Sequence, residues 1–203
     1  MQSPAAAPAS PVATSSSIPR LTLVLGGARS GKSRYAEALI EAAGVPSALY
    51  IATAEALDAE MAERIRRHRA RRAAAHGVAW ETVEEPIHLA RRLAGLAQPG
   101  RPILVECLTL WLTNLMLAGR DIAAEMDALA ATLSTLAGPV VLVTNEVGLG
   151  IVPENALARA FRDHAGELNQ AVAAIAERVV LLAAGLPLVL KDLSPTHGAR
   201  SSA

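Results

Sequence analysis

Residues 26–33 read Gly26, Gly27, Ala28, Arg29, Ser30, Gly31, Lys32, Ser33. A glycine, four residues, then Gly-Lys-Ser is the Walker A spacing, and the chemistry it serves is phosphate binding. The glycines let successive backbone N–H groups turn inward around an anion. The helix start behind them adds partial positive charge, Lys32 reaches the β- and γ-phosphates, and the Ser33 hydroxyl ligates Mg2+. A strand-like run at residues 21–25 precedes the pattern and a helix-like run at residues 33–43 follows it. That context separates a phosphate loop from a chance glycine cluster. Only Lys32 and Lys191 are lysines among 19 Lys plus Arg. A compact ammonium fits a phosphate cradle where a planar guanidinium does not.

A second feature is Glu106, which closes the apolar run ILVE; an acid there orients Mg2+ or its water in phosphate-loop proteins. Its plainer reading is a capping carboxylate at a strand end. A third feature is an arginine-rich stretch with Arg64, Arg66, Arg67, His68, Arg69, Arg71 and Arg72. Arg64, His68 and Arg72 recur at four-residue spacing and share a helical face. The acids stop at Glu63, so these arginines are expected to lack a nearby counter-charge and to receive an anion such as a triphosphate. A solvated helix face supported by a Glu60–Arg64 pair is the bland alternative. His68 is a candidate nucleophile by its surroundings, while His76, His88, His164 and His197 read as structural or solvated. The stretch 145–153 (NEVGLGIVP) is either a functional loop or a simple crossover. Cys107 reads as a buried small apolar residue. No CxxC, HExxH or nucleophile-elbow pattern occurs, so zinc and serine-hydrolase chemistry lack support.

The elements that must position these groups alternate. Strands are expected at residues 21–25, 48–53, 79–83, 103–107 and 139–144, with helices at 33–43, 56–75, 87–97, 109–117, 122–136 and 155–176. Residues 178–183 and 188–191 read as a closing hairpin. Continuous apolar strands separated by helices predict an α/β fold with a mostly parallel sheet covered on both faces. Ligands bind at the carboxyl ends of such strands, which sets the phosphate loop, Thr53, Glu106, Asn145 and Glu146 along one rim. The expected organisation is an Ala/Pro/Ser-rich disordered tail over residues 1–19, one domain over 20–191 and a flexible tail over 192–203. The formal net charge is zero and aromatics are 2%. Nucleic acid and anionic membrane are therefore not expected as partners. The first residues lack the basic and apolar regions of a secretory signal, and the run 179–190 is too short to insert in a membrane. The lone Cys107 fits a reducing, cytoplasmic setting.

These residues resemble the bifunctional adenosylcobinamide kinase / adenosylcobinamide-phosphate guanylyltransferases of cobalamin biosynthesis, over about residues 21–191. The matching stretches are GGARSGKSRYAEALI, YIAT, EMAERIRRHRARR, WETVEEP, ILVECLTLW with TNL, VLVTNEVGLGIVPEN and LARAFRDHAGELNQ. The resemblance implies a RecA-like P-loop NTPase fold and two reactions. A nucleoside triphosphate, ATP or GTP, phosphorylates the aminopropanol hydroxyl of adenosylcobinamide. GTP then guanylylates a histidine, which passes GMP to adenosylcobinamide phosphate and leaves pyrophosphate. Only His68 stands at the family's histidine position here. The resemblance further implies GTP contacts from Gly26 to Ser33, from Ala52, Thr53 and Ala54, from Arg69, Ala70, Arg71 and Arg72, and from Glu84 and Glu106. It also implies a divalent cation such as Mg2+ on Ser33 and Glu106, and a homo-oligomer, a trimer by family pattern. Two rivals stay open: a P-loop kinase without the transferase step, and a nucleotide-dependent switch with no small-molecule substrate.

Overall fold

The computed structural model describes residues 18–54, 63, 66, 70, 72 and 77–193. The expected tail segments at residues 1–17 and 194–203 lie outside the described residues. So do Arg64, Arg67, His68, Arg69 and Arg71; on the arginine-rich stretch Glu63, Arg66, Ala70 and Arg72 are helical.

Seven strands form one sheet: β1 (Leu21–Gly26), β2 (Ser47–Ala52), β3 (Ala79–Glu84), β4 (Ile103–Glu106), β5 (Val140–Asn145), β6 (Arg178–Ala183) and β7 (Leu186–Asp192). Their order is β3-β2-β4-β5-β1-β6-β7. All pairings are parallel except the β6–β7 hairpin. Five further helices are described: α1 (Lys32–Glu41), α2 (Leu89–Leu96), α3 (Leu108–Leu117), α4 (Ile122–Thr135) and α5 (Ala156–Ile175).

The strand sequences explain the layering. β1, β4 and β5 are apolar at almost every position because both faces are covered. Alternate residues go to opposite faces. Leu21, Leu23 and Leu25 join Trp111, Leu129, Leu168 and Val172 in one core, over which α2 to α5 pack. Val24, Val141, Val143 and Leu104 join Ala36 and Ile40 of α1 in the other. β3, an edge strand, is mostly exposed, with only Trp80 and Val83 half-buried. The expected strands are present in order, as are the expected helices that follow residues 33, 87, 109, 122 and 155, and each parallel strand ends on the same rim. The helix expected at 56–75 lies mostly outside the described residues.

No described helix is long and apolar enough to cross a membrane.

Candidate nucleotide site

The β1 strand ends at Gly26, and the chain must turn at once into α1. A Cβ at Gly26 would lie 2.4 Å from Ser30 Oγ and 2.7 Å from the Leu182 carbonyl, so only glycine fits. Arg29 (φ 56) and Gly31 (φ 97) take left-handed conformations on either side of Ser30. A non-glycine residue in that region is held there by its surroundings. One such restraint comes from the β6–β7 hairpin, whose tip residue Gly185 donates its N–H to the Ser30 carbonyl at 3.0 Å.

Inside the loop, Lys32 is buried and its Nζ donates to the Gly27 carbonyl at 2.9 Å. The ammonium thus lies folded into its own loop. Gly31 caps α1 without any side-chain acceptor, and no acidic residue stands in the first turn. By contrast, α4 and α5 are capped by Asp121 and Asn155. The first N–H groups of α1 therefore keep the positive end of the helix dipole for an incoming anion.

Glu106, at the end of β4, is brought to the loop by the sheet itself. Its Oε1 accepts a hydrogen bond from Ser33 Oγ at 2.7 Å. A hydroxyl and a carboxylate beside a phosphate loop are the hard oxygen donors a small divalent cation takes, the remaining positions going to water and phosphate. Among the described residues no group of three His, Cys, Asp or Glu side chains could by itself hold a metal.

Thr53, on the same rim, is held from within the fold. It is fully buried, its hydroxyl donates to the Cys107 carbonyl at 2.8 Å, and the same oxygen accepts from the Cys107 N–H at 2.8 Å. Its N–H donates to the Glu106 carbonyl, and its own carbonyl accepts from Asn114 Nδ2 at 2.7 Å. Thr53 is thus a positioning residue that clamps the turn after β2 to the end of β4, setting Glu106. The structure also identifies Asn114, Thr109, Thr144 and Asn169 as buried supports of the rim. Thr109 Oγ1 accepts from the Asn145 N–H, and Thr144 donates to Asn169, which in turn donates to the Asn145 carbonyl. Cys107 is buried in the apolar core, as its size suggests.

The arginine-rich helix corrects one expectation. Arg66 is ion-paired with Glu63 three residues earlier. Arg72 is buried, its guanidinium carbon 3.4 Å from the Tyr50 ring centroid and its Nη1 3.8 Å from Glu37 of α1. At least these two arginines therefore have counter-charges, one local and one supplied across the fold. Burial pushes the Tyr50 hydroxyl far above its ordinary range, and the Glu106 carboxylate pushes it further. Tyr50 stays neutral and offers Arg72 a π face. Ala70 is exposed.

Ala52, at the end of β2, is buried, with Ala54 half-buried just beyond it. Glu84 ends β3 in register with Ala52 and is exposed. β3 lies four strand spacings from β1, about 19 Å. Glu84 is therefore placed at the far end of the rim and not beside the phosphate loop. Its neighbour Glu85 is buried and structural. It accepts from the Ile87 and His88 N–H groups and from Arg92 Nε ahead of α2. Burial raises the Glu85 carboxyl, but these hydrogen bonds outweigh it and hold the group below its ordinary value. A lowered folded-state value stabilises the fold above the unfolded value, about 4.3, and the gain is lost as pH falls toward the folded value. Glu85→Ala should therefore cost about 1–2 kcal/mol at pH 7. In denaturant unfolding the gap between wild type and variant should close below pH 4. A gap that persisted unchanged at acid pH would sink the capping account.

Residues 22–190 match the sequence profile of the family described as "Cobinamide kinase / cobinamide phosphate guanyltransferase". The chain is 52% identical to the "Bifunctional adenosylcobalamin biosynthesis protein CobP" of Pseudomonas aeruginosa, covering 83% of this chain and 96% of that one. It is 46% identical to the "Bifunctional adenosylcobalamin biosynthesis protein CobU" of Salmonella typhimurium, covering 84% and 99%. Among solved structures it resembles the assembled ATPase EscN of the enteropathogenic E. coli type III secretion system, with TM-score 0.52, 9% identity and coverage of 82% and 43%. It also resembles a second solved ATPase domain, with TM-score 0.50, 10% identity and coverage of 86% and 78%. These two share the P-loop NTPase fold with the chain, which bears out the expected fold class.

Proposed function

The chain belongs to the cobinamide kinase / cobinamide phosphate guanyltransferase family, and from that premise we propose that one nucleotide site, centred on residues 26–33, serves both of its reactions. The enzyme is a kinase and nucleotidyltransferase of cobalamin biosynthesis. The observation that supports a single site is the geometry of the loop. Lys32 is folded inward against Gly27, and Ser33 touches Glu106 at 2.7 Å beside an uncapped helix start.

In the first reaction the aminopropanol oxygen of adenosylcobinamide attacks the γ-phosphorus of ATP or GTP. It loses its proton, and the nucleoside diphosphate leaves. Such a transfer asks for alignment and charge stabilisation rather than a covalent intermediate. The loop N–H groups hold the phosphates, and Lys32 exchanges the Gly27 carbonyl for phosphate oxygens. Ser33 and Glu106 would hold Mg2+, whose bound charge offsets that developing on the phosphates.

In the second reaction an imidazole nitrogen of His68 attacks the α-phosphorus of GTP. A P–N bond forms, the α–β bridging P–O bond breaks and pyrophosphate departs. The phosphate oxygen of adenosylcobinamide phosphate then attacks the same phosphorus and releases the histidine. Splitting the transfer lets each displacement proceed with an activated partner. The family resemblance supports GTP contacts from Glu84, from the turn at Ala52, Thr53 and Ala54, and from the segment Arg69 to Arg72. The same family resemblance supports a homo-oligomer, a trimer.

Cobinamide-dependent turnover of GTP tests the reading. Wild-type protein incubated with GTP and Mg2+ should gain one GMP-sized, acid-labile mass and lose it on addition of cobinamide phosphate. Bound GTP with no adduct would reduce the activity to that of a simple kinase.

A further inference from the structure

The phosphate loop does not hold the bulk of the substrate. A nucleotide loop can align one hydroxyl, but a corrin macrocycle is far larger than the group it presents. Its periphery is a crowd of methyl and methylene groups between amide arms, so an apolar surface beside the γ-phosphate position is required.

One segment on the rim has that character. From Val147 to Pro153 the chain reads VGLGIVP, without a charged side chain. Leu149 is 87% and Ile151 98% exposed, and Val152 and Leu157 are also more than half exposed. Isolated exposed aliphatics are ordinary, but four within nine residues form a patch that calls for a partner. Its position is fixed by the phosphate loop. The segment leaves β5 at Asn145, which is in register with Gly26, and the Glu146 N–H donates to the Gly26 carbonyl at 3.1 Å.

The segment is tethered at both ends. At its root Thr109 accepts from the Asn145 N–H, and Glu146 Oε1 accepts from the Gly148 N–H at 2.5 Å. At its exit Arg159 donates to the Pro153 and Glu154 carbonyls, while Asn155 caps α5. Firm roots under solvent-facing aliphatics suit a platform for a ligand.

We propose that the 147–157 segment is the corrin platform: Leu149, Ile151, Val152 and Leu157 cover the apolar periphery of cobinamide and bring its hydroxyl to the phosphate loop. This rests on the kinase–transferase reading and adds the substrate-holding surface to it. In a chain with 2% aromatics, aliphatic contact is the means at hand.

The test uses Leu149→Ser, Ile151→Ser and the double variant of the full chain. Each lost aliphatic contact should raise the KM for cobinamide roughly tenfold, with kcat and the Kd for GTP within about twofold. Light scattering on the same samples should show wild-type mass. Wild type active with a cobinamide KM unmoved in the double variant overturns the platform alone. So does a fall in mass, which would make the segment a contact between copies. A wild type with no cobinamide-dependent turnover overturns the kinase–transferase reading and the platform with it.

Discussion

Lys32→Ala is expected to lower kcat/KM for phosphoryl transfer by about 10³ and to suppress GMP adduct formation in parallel. The expectation follows from burial and geometry. Lys32 is buried, and its Nζ lies 2.9 Å from a carbonyl of its own loop. The ammonium is already within the cradle before phosphate arrives, and binding exchanges one acceptor for another. In both reactions negative charge grows on phosphate oxygens, on the nucleoside diphosphate in one and on pyrophosphate in the other. A fixed positive charge inside a partly dry site stabilises both more than it would in water. Lys32→Arg should not restore the rates. The bulky planar guanidinium cannot enter a turn in which a single Cβ at Gly26 would already collide with Ser30. Initial rates of both reactions, with GTP affinity by calorimetry, check this. Retention of either activity within tenfold would mean that the loop does not hold the reacting phosphates.

The parts of this fold legible in the sequence are those set by local pattern. The runs LTLVL, ILVE and VVLVT are apolar throughout because both faces of the central strands are covered, and each appears as a strand. The phosphate loop was legible because its glycines and lysine answer to local geometry. The missing parts are contacts between distant elements. Arg72 finds Glu37 on α1 and the Tyr50 ring on β2, partners that no spacing along the arginine-rich stretch reveals. Thr53 reads as a rim residue, yet only the β2–β4 register shows its hydroxyl bound to the backbone of Cys107. A signal did exist for Asn114. A lone amide within the apolar helix LTLWLTNLML must find buried partners, and it finds the Thr53 and Pro86 carbonyls. Glu84 and Glu85 are adjacent acids with opposite placements, one exposed at the end of β3 and one buried where it accepts the Ile87 and His88 N–H groups ahead of α2, a turn that the acid pair alone does not reveal.

His68→Ala is expected to separate the two activities. Adduct formation should disappear and guanylyl transfer fall by about 10⁴, the scale seen when a covalent nucleophile is removed. Phosphorylation of cobinamide should stay within tenfold, because an alcohol attacking the γ-phosphorus needs the loop, Lys32 and the Ser33–Glu106 pair but no histidine. The contrast with Lys32→Ala is the informative part. Lys32 serves every phosphate that enters the loop, so its loss reaches both reactions, whereas His68 serves only attack at the α-phosphorus. His68→Asn would keep a polar side chain of similar size and should behave like the alanine variant, since an amide nitrogen is a poor nucleophile. Intact-protein mass spectrometry and separate assays for phosphate and GMP transfer decide the matter. An adduct of undiminished yield on His68→Ala would move the nucleophile to another residue. An equal fall in both activities would instead make His68 part of the general anion-binding surface, alongside the arginines that flank it.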